Sequence, residues 1–291
     1  MASRFRRTAV SVLLLRLACT PETLSAGEAG IPNHLPCNRH GRPLRSLRRA
    51  GGAVQAAPLP PEVSGSLDPK MVEALDRMGS YLAGLTAFEL VANTTVEFLL
   101  GNGQKIEIAG RARYLARRPD RLRVQLASDI ADRDFIYDGK TLTVVAPKET
   151  YFAQIDAPPT IKAMLTLAAQ NLNIELPLAE LFDWGTPDAP LNRVTDSTYV
   201  GTAHIRDVEC QHWALRGADH DWEIWIQTGE KPLPLKVAIV DRTDPAFLKY
   251  ESLLSWSADV NTPDEAFAYK PAEGQKRIVF TRSDASMGDP Q

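Results

Sequence analysis

Three histidines, His204, His212 and His220, fall at even spacing in the second half of the chain, with Cys210 among them. Imidazole and thiolate are zinc ligands, and a zinc site needs three or four of them converging on one point. The spacing does not supply that convergence. No HExxH or CxxC pattern occurs. If Arg206-Asp207 is a turn, His204 lies across from Glu209 and not from His212. His220 is expected in a turn of its own, so these read as strand-face and surface histidines without a metal. Asp129, Asp132 and Asp134 have the spacing that opens a calcium loop, but the glycine and closing glutamate that such a loop needs are missing, and a solvated loop is expected. No GxSxG, SxxK, Walker A or complete GxGxxG pattern is present. Asn93-Thr94-Thr95 matches a glycosylation sequon but falls in the middle of an expected strand. No catalytic residue, cofactor or metal is expected, and the chain does not read as an enzyme.

The aromatic residues carry more. Trp213, Trp222 and Trp225 fall in one expected hairpin around Gly217–His220. A turn there that pairs Leu215 with Trp222 sets Trp213 opposite Ile224. Trp213, Leu215, Trp222, Ile224 and Ile226 then share a face, with Trp225 on the other beside His212. Such a face is either ordinary sheet core, where aromatics stabilise cross-strand pairs, or the wall of an apolar ligand cavity.

The elements that would position these residues follow from periodicity. Asp68 suits a helix N-cap and Pro69 the first helical position. Val72, Leu75, Met78, Leu82 and Leu85 then recur at helical spacing. From Ala87 the period becomes two. Phe88, Leu90, Ala92, Thr94, Val96, Phe98 and Leu100 share one phase, Gly101-Asn102-Gly103 turns the chain, and Ile106, Ile108, Ala112 and Tyr114 continue the alternation. Strands of 13 residues would run roughly 40 Å, and strands that long favour a strongly curved sheet. Further strands are expected at Leu122–Leu126, Phe135–Tyr137, Leu142–Ala146 and Tyr151–Ile155, with a turn at Asp138-Gly139. A helix then runs through Ile161, Met164, Leu165 and Ala168, and a short one covers Leu178–Phe182. Strands resume at Thr198–Ile205, Cys210–Leu215, Trp222–Gln227, Leu235–Val240 and Leu248–Trp256. Short connections without βαβ alternation predict antiparallel pairing throughout.

Composition bounds the rest. Of 291 residues, 44% are hydrophobic and 24% charged, which is ordinary globular usage. Residues 1–50 hold nine Arg against two acidic residues, which leaves −10 on the remainder of a chain whose net charge is −3. An acidic body is a poor nucleic-acid binder, because phosphate contacts need clustered Lys and Arg. Arg4, Arg6 and Arg7 precede the apolar run Ala9–Leu15, and Leu24-Ser25-Ala26 offers a small residue for cleavage, the order of an export signal over residues 1–26. The run is too short to span a bilayer, which takes roughly 20 apolar residues. Leu17-Ala18-Cys19 has the outline of a lipoprotein cleavage site, but Arg16 stands where an apolar residue is needed, so no lipid anchor at Cys19 is expected. Residues 27–66 are rich in Pro and Arg without periodicity and read as a disordered linker. The domain is expected over residues 67–281 and a disordered tail over 282–291.

A family resemblance rests on ordered motifs across that domain. In the second half these are Tyr199-Val200-Gly201, Asp207-Val208-x-Cys210-x-His212-x-Ala214, Asp221-Trp222-x-Ile224-Trp225-Ile226 and Pro232-Leu233-Pro234-x-Lys236. In the first half they are Tyr81-Leu82, Arg118-Pro119-Asp120-Arg121-Leu122, Tyr137-Asp138-Gly139-Lys140 and Ile174-Glu175-Leu176-Pro177-Leu178. Pro263-Asp264-x-Ala266-Phe267 and Pro271-x-x-Gly274 close the set. Residues 67–281 thereby resemble the bacterial "domain of unknown function 2092" family of predicted periplasmic proteins. These are packing and turn motifs, so they bear on fold before chemistry. The family is similar in architecture to the periplasmic lipoprotein carriers of the LolA/LolB type. The resemblance implies an α+β, mainly β fold: a curved antiparallel sheet forming an open half-barrel, with an N-terminal helix and a mid-chain helical insert over a hydrophobic cavity.

Two functions follow as expectations. One is an exported envelope protein that binds a lipid, an acyl chain or a lipoprotein. The other is a structural or interaction protein with a closed core and another envelope protein as its partner. For the first, the expected cavity lining is Leu75, Met78 and Leu82 of the helix, Phe88, Leu90, Val96 and Phe98 of the long strand, and Trp213, Trp222 and Ile224 of the aromatic hairpin. The cavity would lie between that helix and the sheet, with Ile161–Phe182 as its other lid. N-terminal sequencing of periplasmic material should show a mature chain lacking at least residues 1–18, and intact cytoplasmic protein starting at Met1 would contradict export. Limited proteolysis should leave a stable body starting near Ser66, and protection of Arg39–Arg49 would contradict the linker.

Overall fold

The computed structural model describes residues 67–279, Glu149 apart. The expected export signal, the linker up to Ser66 and the tail from residue 282 lie outside the described residues. The chain enters through helix α1, Pro69–Gly84. Asp68 caps it, its carboxylate accepting from the Lys70 N–H at 2.8 Å, with Pro at the N-terminal turn. Met71, Leu75, Met78 and Leu82 form its buried stripe.

Two 13-residue strands follow, β1 (Ala87–Leu99) and β2 (Lys105–Arg117). Phe88, Leu90, Ala92, Thr94 and Val96 of β1 are buried in one phase, as the alternation predicts, while Leu100 lies in the exposed turn. Four shorter strands complete the first meander: β3 (Arg121–Ser128), β4 (Asp132–Tyr137), β5 (Thr141–Ala146) and β6 (Tyr151–Asp156). Helix α2, Ile161–Leu172, is capped by the Thr160 hydroxyl and ends on Asn173 in the left-handed region. An irregular insert carries 3-10 turns at Ala179–Phe182 and Pro190–Arg193. The second meander is β7 (Val194–Ile205), β8 (Val208–Gly217), β9 (His220–Gln227), β10 (Pro234–Asp241) and β11 (Lys249–Ala258). A 3-10 turn at Asp264–Phe267 leads to β12, Lys276–Ile278.

The twelve strands form one sheet in the order β12-β6-β5-β4-β3-β2-β1-β11-β10-β9-β8-β7, open at both ends. It is mainly antiparallel. The expectation of antiparallel pairing throughout fails at one edge, where β12 runs parallel to β6. The reason is the route of the C-terminal segment, which crosses the sheet's outer face instead of returning by a hairpin. On the way Asp259 N–H meets the Ala87 carbonyl, Arg117 bonds the Thr262 carbonyl and the Asp264 carboxylate, and Arg123 bonds the Ala266 carbonyl. Tyr269 then packs tilted against Phe152, ring centroids 5.2 Å apart, over a small outer cluster with Ile136 and Val145. A second outer cluster, Cys210, Trp225 and Ala238, lies beside Ala203 and Ile205 of the β7–β8 hairpin. The turn of that hairpin is Arg206-Asp207, both left-handed, and the Arg206 guanidinium reaches Ser255 of β11.

The inner face holds the main core. Side chains from α1, α2, the insert and both meanders join in one apolar cluster. Two strand ends differ from expectation. His220 opens β9 opposite Asp241, because the turn is only Ala218-Asp219. Asp132 and Asp134 belong to β4 and not to a loop with Asp129. Asp134 is held in the strand by Arg123 at 2.7 Å, and Asp132 by Lys148 at 3.0 Å.

Helix α1 and the insert meet backbone to backbone. A Cβ on Gly79 would sit 2.6 Å from the Gly185 nitrogen, and one on Gly185, whose φ is +76°, would be closer still to the Gly79 carbonyl. A Cβ on Gly84 in the same helix meets nothing within 4 Å. Gly84→Ala should therefore stabilise the protein by up to about 1 kcal/mol through helix propensity. Gly79→Ala should destabilise it despite the same propensity gain, because neither backbone can yield. Urea unfolding of the two variants checks this, and equal shifts would contradict the packing.

Candidate functional site

All ten expected cavity residues lie in the inner apolar cluster. Leu75, Met78 and Leu82 project from α1, Phe88, Leu90, Val96 and Phe98 from β1, Trp213 from β8, and Trp222 and Ile224 from β9. The aromatic hairpin has the register read from sequence. Trp213 pairs with Ile224, Leu215 with Trp222, and His212 with Trp225. Phe98 and Trp222 are half-buried at the margin of the cluster, and the other eight are buried. Leu75, Met78 and Val96 have no exposed surface at all. The interface between α1 and the sheet is thus packed.

A recess lies beside that packed zone, under the other helix. It has a volume of about 240 Å³ and runs between α2, the segment Ile174–Glu180 and the inner face of β10 and β11. Leu165 and Ala169 of α2 form one wall, Leu176 and Leu178 another, and Ile239 and Tyr250 the floor. None of the ten expected residues lines it. Two of them flank it, because one cross-sheet row reads Trp222, Ile239, Tyr250, Val96, with floor residues in its middle. Ile239 and Tyr250 carry the same alternating signal as the rest of the face. Which stretch of that face stays uncovered depends on where α2 seats.

Tyrosines hold the cover in place. The Tyr114 hydroxyl donates to the Pro177 carbonyl and the Tyr137 hydroxyl to the Pro158 carbonyl. Burial pushes the Tyr114 phenol well up. Burial, with Asp120 nearby, pushes Tyr137 up to about 12. Both phenols therefore stay protonated and keep donating at any physiological pH. Leu178, in the left-handed region at φ 60°, marks strain in the same segment.

The mouth of the recess is polar. Lys162, Thr166 and Glu180 reach solvent there, with Glu175 and Asp183 half-buried beside them. Burial raises the carboxyls of Glu175 and Asp183, and in Asp183 Lys162 works against it. Glu180 is the exposed acid of the three. The Tyr250 hydroxyl on the floor and that of Ser252 on the same strand are buried, and neither makes a hydrogen bond of ordinary geometry.

The histidines lie apart from the recess. His204 pairs with Glu209 across the β7–β8 hairpin, as the turn at Arg206-Asp207 predicts. His212 stacks on Trp225 at 4.0 Å and bonds Glu223 at 2.9 Å on the outer face. Among the described residues no three His, Cys, Asp or Glu side chains converge on a metal-sized point. No described helix is long and apolar enough to cross a membrane.

No curated protein sequence matches this chain. Among solved structures it is similar to LprF from Mycobacterium bovis, at 14% identity and a TM-score of 0.42, over 68% of this chain and 98% of that one. It is also similar to the lipoprotein LppX of Mycobacterium tuberculosis, at 12% identity and a TM-score of 0.38, over 67% and 99%. A LolA superfamily protein from Nitrosomonas europaea matches at 10% identity and a TM-score of 0.33, over 68% and 97%. The family model described as "predicted periplasmic protein" with a domain of unknown function 2092 matches residues 72–281, which comprise all but the first helical turn of the described body, and the chain belongs to that family.

Proposed function

We propose that this protein holds a hydrophobic ligand, such as a lipid, an acyl chain or the acyl part of a lipoprotein, in the recess under α2. The observation that carries the reading is the recess of about 240 Å³, with walls of Leu165, Ala169, Leu176 and Leu178, between α2, Ile174–Glu180 and the β10–β11 floor. A dry cavity of about 150 Å³ is already large enough to take up benzene. Each methylene moved from water into such a wall contributes about 0.8 kcal/mol, so binding needs no catalytic group. The ten residues expected from sequence act in this reading as backing. Val96 and Trp222 flank the floor, and Leu75, Met78, Leu82, Phe88, Leu90, Phe98, Trp213 and Ile224 form the packed half of the same face.

A second reading is an envelope protein that works by contact with another protein and carries no small ligand. The complete packing of α1 on the sheet favours it for that half of the molecule.

The two readings separate with an uncharged fluorescent probe, N-phenyl-1-naphthylamine, titrated into the full-length chain after lipid extraction. The carrier reading expects saturable binding, and Ala169→Trp should weaken it about tenfold or more by filling the wall while thermal stability is kept. Absence of binding, or binding that Ala169→Trp leaves unchanged, would sink it in favour of the second reading.

A further inference from the structure

The recess has apolar walls and a one-sided charge. Three acids, Glu175, Glu180 and Asp183, line it against the single cation Lys162. Lys162 is already engaged, ion-paired with Asp188 and 3.9 Å from Asp183. Among the described residues neither Glu175 nor Glu180 has a cationic group within 4 Å. Glu175, half-buried there, loses hydration and gains no cationic partner in return, while Glu180 stands exposed at the mouth. The floor repeats the pattern independently. Tyr250 is more than nine-tenths buried and lines the floor, and its hydroxyl makes no hydrogen bond of ordinary geometry, with the Ser252 hydroxyl of the same strand as its nearest polar neighbour. Buried hydroxyls are normally paired, and an unpaired one marks a place where something else is to bond.

We propose that the recess selects amphiphiles with a cationic head, an ammonium on a hydrocarbon chain, and rejects carboxylates and phosphates on the same chain. This rests on the reading that the recess takes a hydrophobic chain at all. The walls of Leu165, Ala169, Leu176 and Leu178 accommodate the chain. Glu175 and Glu180 accept from the ammonium N–H groups at the mouth, and an ammonium offers donors only, which suits acceptor-only carboxylates. An anionic head would meet three like charges with Lys162 already paired. The phenol of Tyr250 on the floor lies deeper and serves a polar group further along the chain.

The experiment is calorimetric titration of the full-length, lipid-extracted chain with decylammonium, decanol and decanoate, each below its micelle concentration. Decylammonium should bind about tenfold more tightly than decanol, with decanoate weakest, as charge-assisted hydrogen bonds are stronger than neutral ones. Glu180→Gln should cost decylammonium about tenfold and leave decanol unchanged, with Glu175→Gln as a second variant of the same sign. Equal affinity for the three heads, or preference for decanoate, overturns the charge selection while the chain-binding reading survives. Failure of all three to bind overturns both.

Discussion

Gly79 of α1 and Gly185 of the insert touch through their backbones, and the covering of the whole inner face follows from that approach. A 13-residue strand with one apolar face exposes more apolar surface than one helix can hide. α1 covers its share completely, down to zero exposure at Leu75, Met78 and Val96. The rest falls to α2 and the insert, and they are seated by two glycines that permit the approach and by tyrosine hydroxyls that grip Pro158 and Pro177. α2 buries Ile161, Met164 and Ala168 in the core, but beside Leu165 and Ala169 room is left above the floor of Ile239 and Tyr250. The recess is that room.

The outer face explains why the sheet can afford an incompletely filled inner side. The C-terminal segment crosses β1, β2 and β3 and ends as a strand on β6, so both the first hairpin and one sheet edge are tied down. The β7–β8 hairpin does the same at the other end through Arg206 and Ser255. The ion pairs on this face, Arg113 with Glu89 and Lys105 with Glu97 among them, are half-exposed and contribute little each. The apolar clusters under the strap and the hairpin do more, because they bury Phe152 and Trp225 on what would otherwise be a solvated surface.

The electrostatics of the recess differ from those of the outer face in kind. Outside, Glu89 and Arg113 shift toward their charged forms because each bonds the other. At the mouth, Glu175 and Asp183 shift the opposite way, because burial dominates, in Asp183 against the pull of Lys162. Glu175 and Glu180 thus stand beside the recess without the close cationic partners that Glu89 and Glu97 have on the outer face.

What the sequence by itself determined was local. The cap at Asp68, the stripe Leu75, Met78, Leu82, the phase of Phe88 to Val96 and the turns at Arg206-Asp207 and Asp138-Gly139 all depend on neighbours within a few residues, and each lies where the pattern puts it. The pairing of Trp213 with Ile224 was legible for the same reason, since a hairpin turn sets the register of its strands. The family was legible because its motifs are those same turns and strand starts. Three things were not legible. The parallel β12 is three residues long and without periodicity, and it owes its place to the strap that delivers it. His220 and the pair Asp132 and Asp134 joined strands because tight turns and ion pairs extended them. The place of the recess was the least legible, because alternation shows only that Val96, Ile239 and Tyr250 face inward together. Which of them is packed and which is left beside a void is decided by the distance between covering elements, and that distance is set by contacts between residues as far apart in sequence as Gly79 and Gly185.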